Sequence, residues 1–147
     1  MTSSRTEPPQ IAKSARGARM GLWLIGMGAL HFVAPKPFDS IVPEELPGSP
    51  RFYTLASGVA EVGVGGLLVI PRTRRLGALA AVGLFLAVFP ANVNMVRLWF
   101  NDPTKSPPMR VAAIARLPLQ IPMILQALKV YRESKPGDDQ AARHEPR

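Results

Sequence analysis

Four residues in this chain carry polar chemistry into otherwise apolar surroundings: His31, Glu61, Asn92 and Arg116. Glu61 is the only charged residue of the run FYTLASGVAEVGVGGLLVI, residues 52–70. A helix over that run rises roughly 28 Å at 1.5 Å per residue, close to the hydrocarbon thickness of a bilayer. A charge near its middle costs at least about 2.5–3.5 kcal/mol to insert, so it requires a partner or a function. The partner open to Glu61 is Arg116 or His31, and the function open to it is ligand binding or proton handling. His31 has the chemistry of a proton acceptor, a haem ligand or a hydrogen-bond donor at a helix end. The other histidine, His144, falls in a polar tail and makes no second haem ligand. Asn92 and Asn94 follow Pro90 within a turn. One of the two asparagines can satisfy the carbonyl that proline frees while the other faces a site. No spaced ligand motif marks a metal site, and no nucleophile elbow, phosphate loop or triad spacing is present. No catalytic residue is assigned.

The elements that must position these residues are apolar runs separated by charge. Residues 20–35 lack Lys, Arg, Asp and Glu, as do residues 76–96, while residues 109–131 carry Arg116, Pro118, Gln120, Pro122 and Gln126. The expected fold is all-α: an integral membrane four-helix bundle with helices at about 19–35, 52–70, 76–98 and 109–131. A basic polar tail is expected over residues 1–18 and a disordered polar tail over 132–147. The 19–131 span forms one domain. Prolines 35, 37, 43, 47 and 50 are too dense for an ordinary helix, which predicts an ordered, packed loop between the first two helices. Pro90 predicts a kink in the third helix, and Pro118 with Pro122 predicts a bent or broken fourth. Glycines 17, 21, 26 and 28 suit close approach of a neighbouring helix inside a membrane.

Lys and Arg are concentrated in the amino-terminal tail, at Arg72, Arg74 and Arg75, and in the carboxyl-terminal tail. That asymmetry predicts both termini in the cytoplasm and the proline-rich loop outside. Helix rise then puts His31, Glu61, Asn92 and Arg116 at depths of roughly 5, 14, 9 and 10 Å below the outer face, so that four helices can converge on one polar cluster.

Composition narrows the function classes. The 147 residues contain 47% hydrophobic and 19% charged side chains and no cysteine, which removes disulfides, thiol redox chemistry and thiolate metal ligation. The net charge of +8 flanks apolar runs rather than interleaving with aromatics, a membrane-orientation pattern and not a nucleic-acid surface. A soluble bundle needs polar residues at helical period on each outer face, and residues 76–96 offer almost none. The basic start followed by an apolar run is read as a retained tail rather than a signal peptide, because three further apolar runs follow.

GLWLIGMGALHFVAPKPFDSIVPEELP (residues 21–47), SGVAE (57–61) and FPAN (89–92) together resemble the DoxX family of small four-helix bacterial and archaeal membrane proteins. The motif positions are His31, Phe32, Pro35, Pro43, Ser57, Gly58, Glu61, Pro90 and Asn92. The long basic extension, the polar carboxyl tail and the two prolines of the last helix depart from that pattern. The resemblance implies a multi-pass protein of the bacterial plasma membrane, a membrane anchor or subunit of a redox or oxidative-stress assembly, of the thiosulfate-quinone or thiol-related kind. Its partners would be the bilayer, soluble redox enzymes and a second copy of the chain, with quinone as the candidate cofactor. A different class of reading uses the same polar cluster as a binding or transport module for a small lipophilic molecule or quinone. Neither reading requires a complete active site within the chain.

Overall fold

The structure, a computed structural model, describes residues 10–134. Most of the polar segments expected over 1–18 and 132–147 lie outside them. Among the described residues the chain is all-helical: α1 (Gln10–Val33), α2 (Pro35–Asp39), α3 (Pro50–Val69), a 3₁₀ turn (Pro71–Thr73), α4 (Arg74–Asn101) and α5 (Pro107–Glu133). The first helix begins well before residue 19, so part of the expected tail is helical.

Prolines set most helix starts. Pro35, Pro50 and Pro107 each stand in a first turn, where the missing N–H has no helical acceptor to lose. This is why the proline-rich segment, expected as a loop, contains a one-turn helix: Pro35 and Pro37 both fall where proline is tolerated. At α3 the Ser49 hydroxyl accepts from the Phe52 amide, a side-chain N-cap. Pro90, Pro118 and Pro122 lie inside helices that nonetheless run on, so neither α4 nor α5 is broken.

The carboxyl end of α3 is closed by side chains from the turn that follows. Thr73 Oγ1 donates to Leu67 O at 2.9 Å, while Arg74 donates from Nε to Leu68 O at 2.8 Å and from Nη2 to Val69 O at 3.0 Å. These carbonyls are among the last four of the helix, which have no acceptor role within it. Arg74 Nη1 also reaches Ser14 Oγ of α1 at 3.1 Å. Arg74 is buried, so one of the arginines read as an orientation charge also works as a cap that joins two helices.

Helix α1 runs along α3, α4 along α5, and α3 also packs on α4. Two glycine pairs set the first contact. A Cβ placed on Gly21 would stand 2.5 Å from Gly65 O, and one on Gly28 would stand 2.8 Å from Gly58 O. The pairs recur two turns apart on each helix, so the backbones touch along an antiparallel seam. Leu24, Leu68, Phe85 and Val130, with Ala78, Ala81 and Ala127, form the core.

Among the described residues, three helical segments are long and apolar enough to cross a membrane: Pro50–Val69, Pro71–Asn101 and Pro107–Glu133. Helix α1 is not among them, since Lys13, Arg16 and Arg19 occupy its first half. Only 22%, 33% and 17% of those three apolar windows is buried inside the molecule. Large side chains such as Val33, Phe52, Leu76, Val111 and Ile121 point outward instead. Apolar surface on this scale belongs in an apolar solvent.

Candidate functional site

His31, Glu61, Asn92 and Arg116 come from α1, α3, α4 and α5, and all four line one cavity of about 640 Å³. Its wall is mostly apolar, with Trp23, Leu24, Phe85, Val88, Leu119 and Met123 contributing. Phe38, Ile41, Val42, Pro43 and Leu46 of the proline-rich segment also line it and form its roof. The segment is held there from below: Asn94 Nδ2 donates to Ile41 O at 3.0 Å. At its far end Tyr53 Oη donates to Pro47 O at 2.6 Å, and Arg51 Nη2 pairs with Asp39 Oδ2 at 2.8 Å.

His31 is buried, and its ring stacks on Phe38 with centroids 3.8 Å apart. Its Nδ1 lies 2.9 Å from Met27 O, a backbone group that can only accept, so Nδ1 carries the proton. The same nitrogen is 3.6 Å from Glu61 Oε2. That oxygen is buried and has no hydrogen-bond partner among the described residues. Gly58 makes room for the histidine: a Cβ there would stand 2.8 Å from His31 Cβ. Of the two partners open to Glu61, His31 is the nearer. Among the described residues, Arg116 forms no ion pair with Glu61 within 4.0 Å.

Arg116 turns to α4 instead. Its Nε donates to Asn92 Oδ1 at 3.0 Å, and Asn92 Nδ2 donates to Gln120 Oε1 at 3.2 Å. Gln120 Nε2 in turn donates to Phe85 O. Phe85 O stands one residue before Leu86 O, the carbonyl that Pro90 frees, so Gln120 ties α5 to the α4 backbone beside that interruption. Asn94, expected either at the site or at the kink, holds the roof. Both amide side chains of the Asn92–Gln120 pair are buried, and each is engaged as donor and as acceptor, which satisfies the demand that low-dielectric burial makes of polar groups.

Gln120 is the residue of this relay that the sequence reading did not place in the site. A signal for it exists: Gln120 follows Arg116 by four residues, which puts the two on one helix face. The remaining motif positions divide. Pro43, Ser57 and Pro90 line the cavity, Pro35 opens α2, and Phe32 is 47% exposed at the carboxyl end of α1. Among the described residues no three His, Asp or Glu side chains gather as a metal site.

A family model described as Domain of unknown function (DUF8561) matches residues 20–131. The chain belongs to this family. Every cavity-lining residue of this DUF8561 protein falls within the matched span. No curated protein and no solved structure matches the chain.

Proposed function

We propose that this DUF8561 protein is a multi-pass membrane protein that binds a small lipophilic molecule with a polar head group, of the quinone class, in its interhelical cavity. In this reading the four long helices form a transmembrane bundle with both termini in the cytoplasm and the proline-rich roof outside. The supporting observation is the cavity itself: an apolar chamber of about 640 Å³ with polar side chains from four helices on its wall. Ligand sites have this character, mostly apolar with a few placed polar groups that orient the ligand. The resemblance to DoxX proteins supplies the setting, a membrane subunit that holds its ligand for a redox or oxidative-stress assembly of the plasma membrane.

Trp23 lines the cavity, and the chain's other tryptophan, Trp99, does not. In the Trp99→Phe protein, purified in mild detergent, a short-chain ubiquinone analogue is expected to quench Trp23 fluorescence saturably. Quenching that rises linearly with added quinone, as it does for free tryptophan in the same micelles, would reject the binding site. Co-purifying soluble redox enzymes, identified from the same preparation by mass spectrometry, test the assembly.

A further inference from the structure

Hydrogen bonds inside the cavity are unevenly spent. The relay Arg116, Asn92, Gln120 and Phe85 O is closed on itself, with each amide group used as donor and acceptor. What it leaves over is donor capacity: only Arg116 Nε is engaged, and among the described residues nothing binds the terminal amino groups. On the other side of the site Glu61 Oε2 is buried without a hydrogen-bond partner among the described residues. The Nδ1 of His31 is 3.6 Å away and its hydrogen is directed to Met27 O, so it gives this oxygen no hydrogen bond. A carboxyl oxygen in that position is open to a donor from a ligand. The cavity wall therefore lacks one donor beside Glu61 and one acceptor beside Arg116.

We infer that the site selects a head group that donates an O–H to Glu61 and presents a second oxygen to Arg116, and so holds the reduced, hydroquinone form of a quinone-class ligand in preference to the oxidised form. The inference rests on the binding function proposed above and adds its redox-state selectivity. A hydroquinone carries a hydroxyl at each end of one ring, one to donate and one to accept. The oxidised form has two acceptors and no donor, and leaves Glu61 as it is in the empty cavity. A buried acceptor left unpaired opposite a ligand acceptor is penalised twice, by lost bonding and by repulsion of like dipoles. The fixed relay keeps Arg116 from swinging across to neutralise Glu61 itself. His31, pinned by Met27 O and by its stack on Phe38, is likewise held at a distance too long for a hydrogen bond.

The test compares three probes of one shape on the full chain carrying Trp99→Phe, under anaerobic conditions: a short-chain ubiquinone, its hydroquinone, and the di-O-methyl ether of that hydroquinone. Trp23 quenching gives an affinity for the quinone. Displacement of the quinone gives the affinities of the other two. The hydroquinone is expected to bind about tenfold or more tighter than the quinone and the ether, the range set by the cost of leaving a buried polar atom unpaired. Glu61→Gln is expected to bring the three within about threefold of one another, since an amide can both donate and accept. Equal or tighter binding of the quinone by the unsubstituted site overturns the selectivity while the binding function stands. Failure of the quinone to quench and of the hydroquinone to protect overturns both. The comparison of probes on the unsubstituted site decides the matter even if Glu61→Gln does not fold.

Discussion

Arg116 Nε on α5 donates to Asn92 Oδ1 on α4 across 3.0 Å. The one arginine at the cavity wall is thereby committed to an amide rather than to the carboxylate of Glu61. In a medium of low dielectric this choice governs both the stability of the helix pair and the polarity left for a ligand.

Double-mutant cycles read that choice directly. Asn92→Ala with Arg116→Gln is expected to show a coupling of about 1 kcal/mol in detergent unfolding titrations. The Glu61→Gln and Arg116→Gln cycle is expected to show a smaller coupling, since no contact within 4.0 Å joins these two side chains among the described residues. A larger coupling in the second cycle than in the first would show that Arg116 serves Glu61 after all.

The glycine seam makes a graded prediction. Gly65→Ala is expected to destabilise by about 1–3 kcal/mol, because the added methyl meets backbone at Gly21 O and Ile25 N as well as the Ile25 side chain. Gly26→Ala and Gly63→Ala meet nothing within 4 Å and are expected to be neutral or mildly stabilising through helix propensity. Thermal unfolding of the purified variants, side by side, provides the comparison.

Gln120→Leu keeps the volume but removes the donor to Phe85 O and the acceptor for Asn92 Nδ2. Phe85 O keeps its place in the α4 ladder, but the buried Asn92 amide loses its acceptor, which on typical magnitudes costs about 1–3 kcal/mol. Gln120→Glu, which retains an acceptor for Asn92, is expected to recover part of the loss. Equal stability of the leucine variant and the unsubstituted chain would mean that the relay contributes nothing.

Asp39 gives the roof a pH dependence. The neighbouring Thr54 hydroxyl, and then the Arg51 guanidinium, hold its carboxyl below the usual carboxylate range. A lowered folded-state value means that the stabilisation is present above the unfolded value near about pH 4 and is lost as pH falls through the lower, folded one. Asp39→Asn is therefore expected to lower the melting temperature more at about pH 6 than at about pH 2.5. An effect of the same size at both pH values would place its cause outside the carboxylate.

Holding the roof by its backbone should matter for exchange of ligand. Asn94→Ala removes the donor to Ile41 O and is expected to raise the quinone dissociation rate several-fold, measured by recovery of Trp23 fluorescence on dilution, with a smaller effect on the melting temperature. Unchanged dissociation would separate the roof from ligand exchange.

Much of the architecture is legible in the chain itself. Apolar runs between basic segments mark the long helices, since chain length and hydropathy act locally, whereas the prolines read as loop signals at 35 and 50 turn out to stand in first helical turns. The convergence of His31, Glu61, Asn92 and Arg116 follows from depth along the helices, which residue counting measures. Rotation about each helix axis is another matter. The apolar residues of α4 and α5 are spread almost evenly around their circumference, so no stripe declares which face turns inward. Whether Arg116 meets Glu61 or Asn92, that Gln120 crosses to Phe85 O, and that Asn94 reaches up to Ile41 were decided only by tertiary packing. Close glycine contacts between α1 and α3 and the packing of α5 on α4 set those rotations, and with them the two unsatisfied positions that face the cavity.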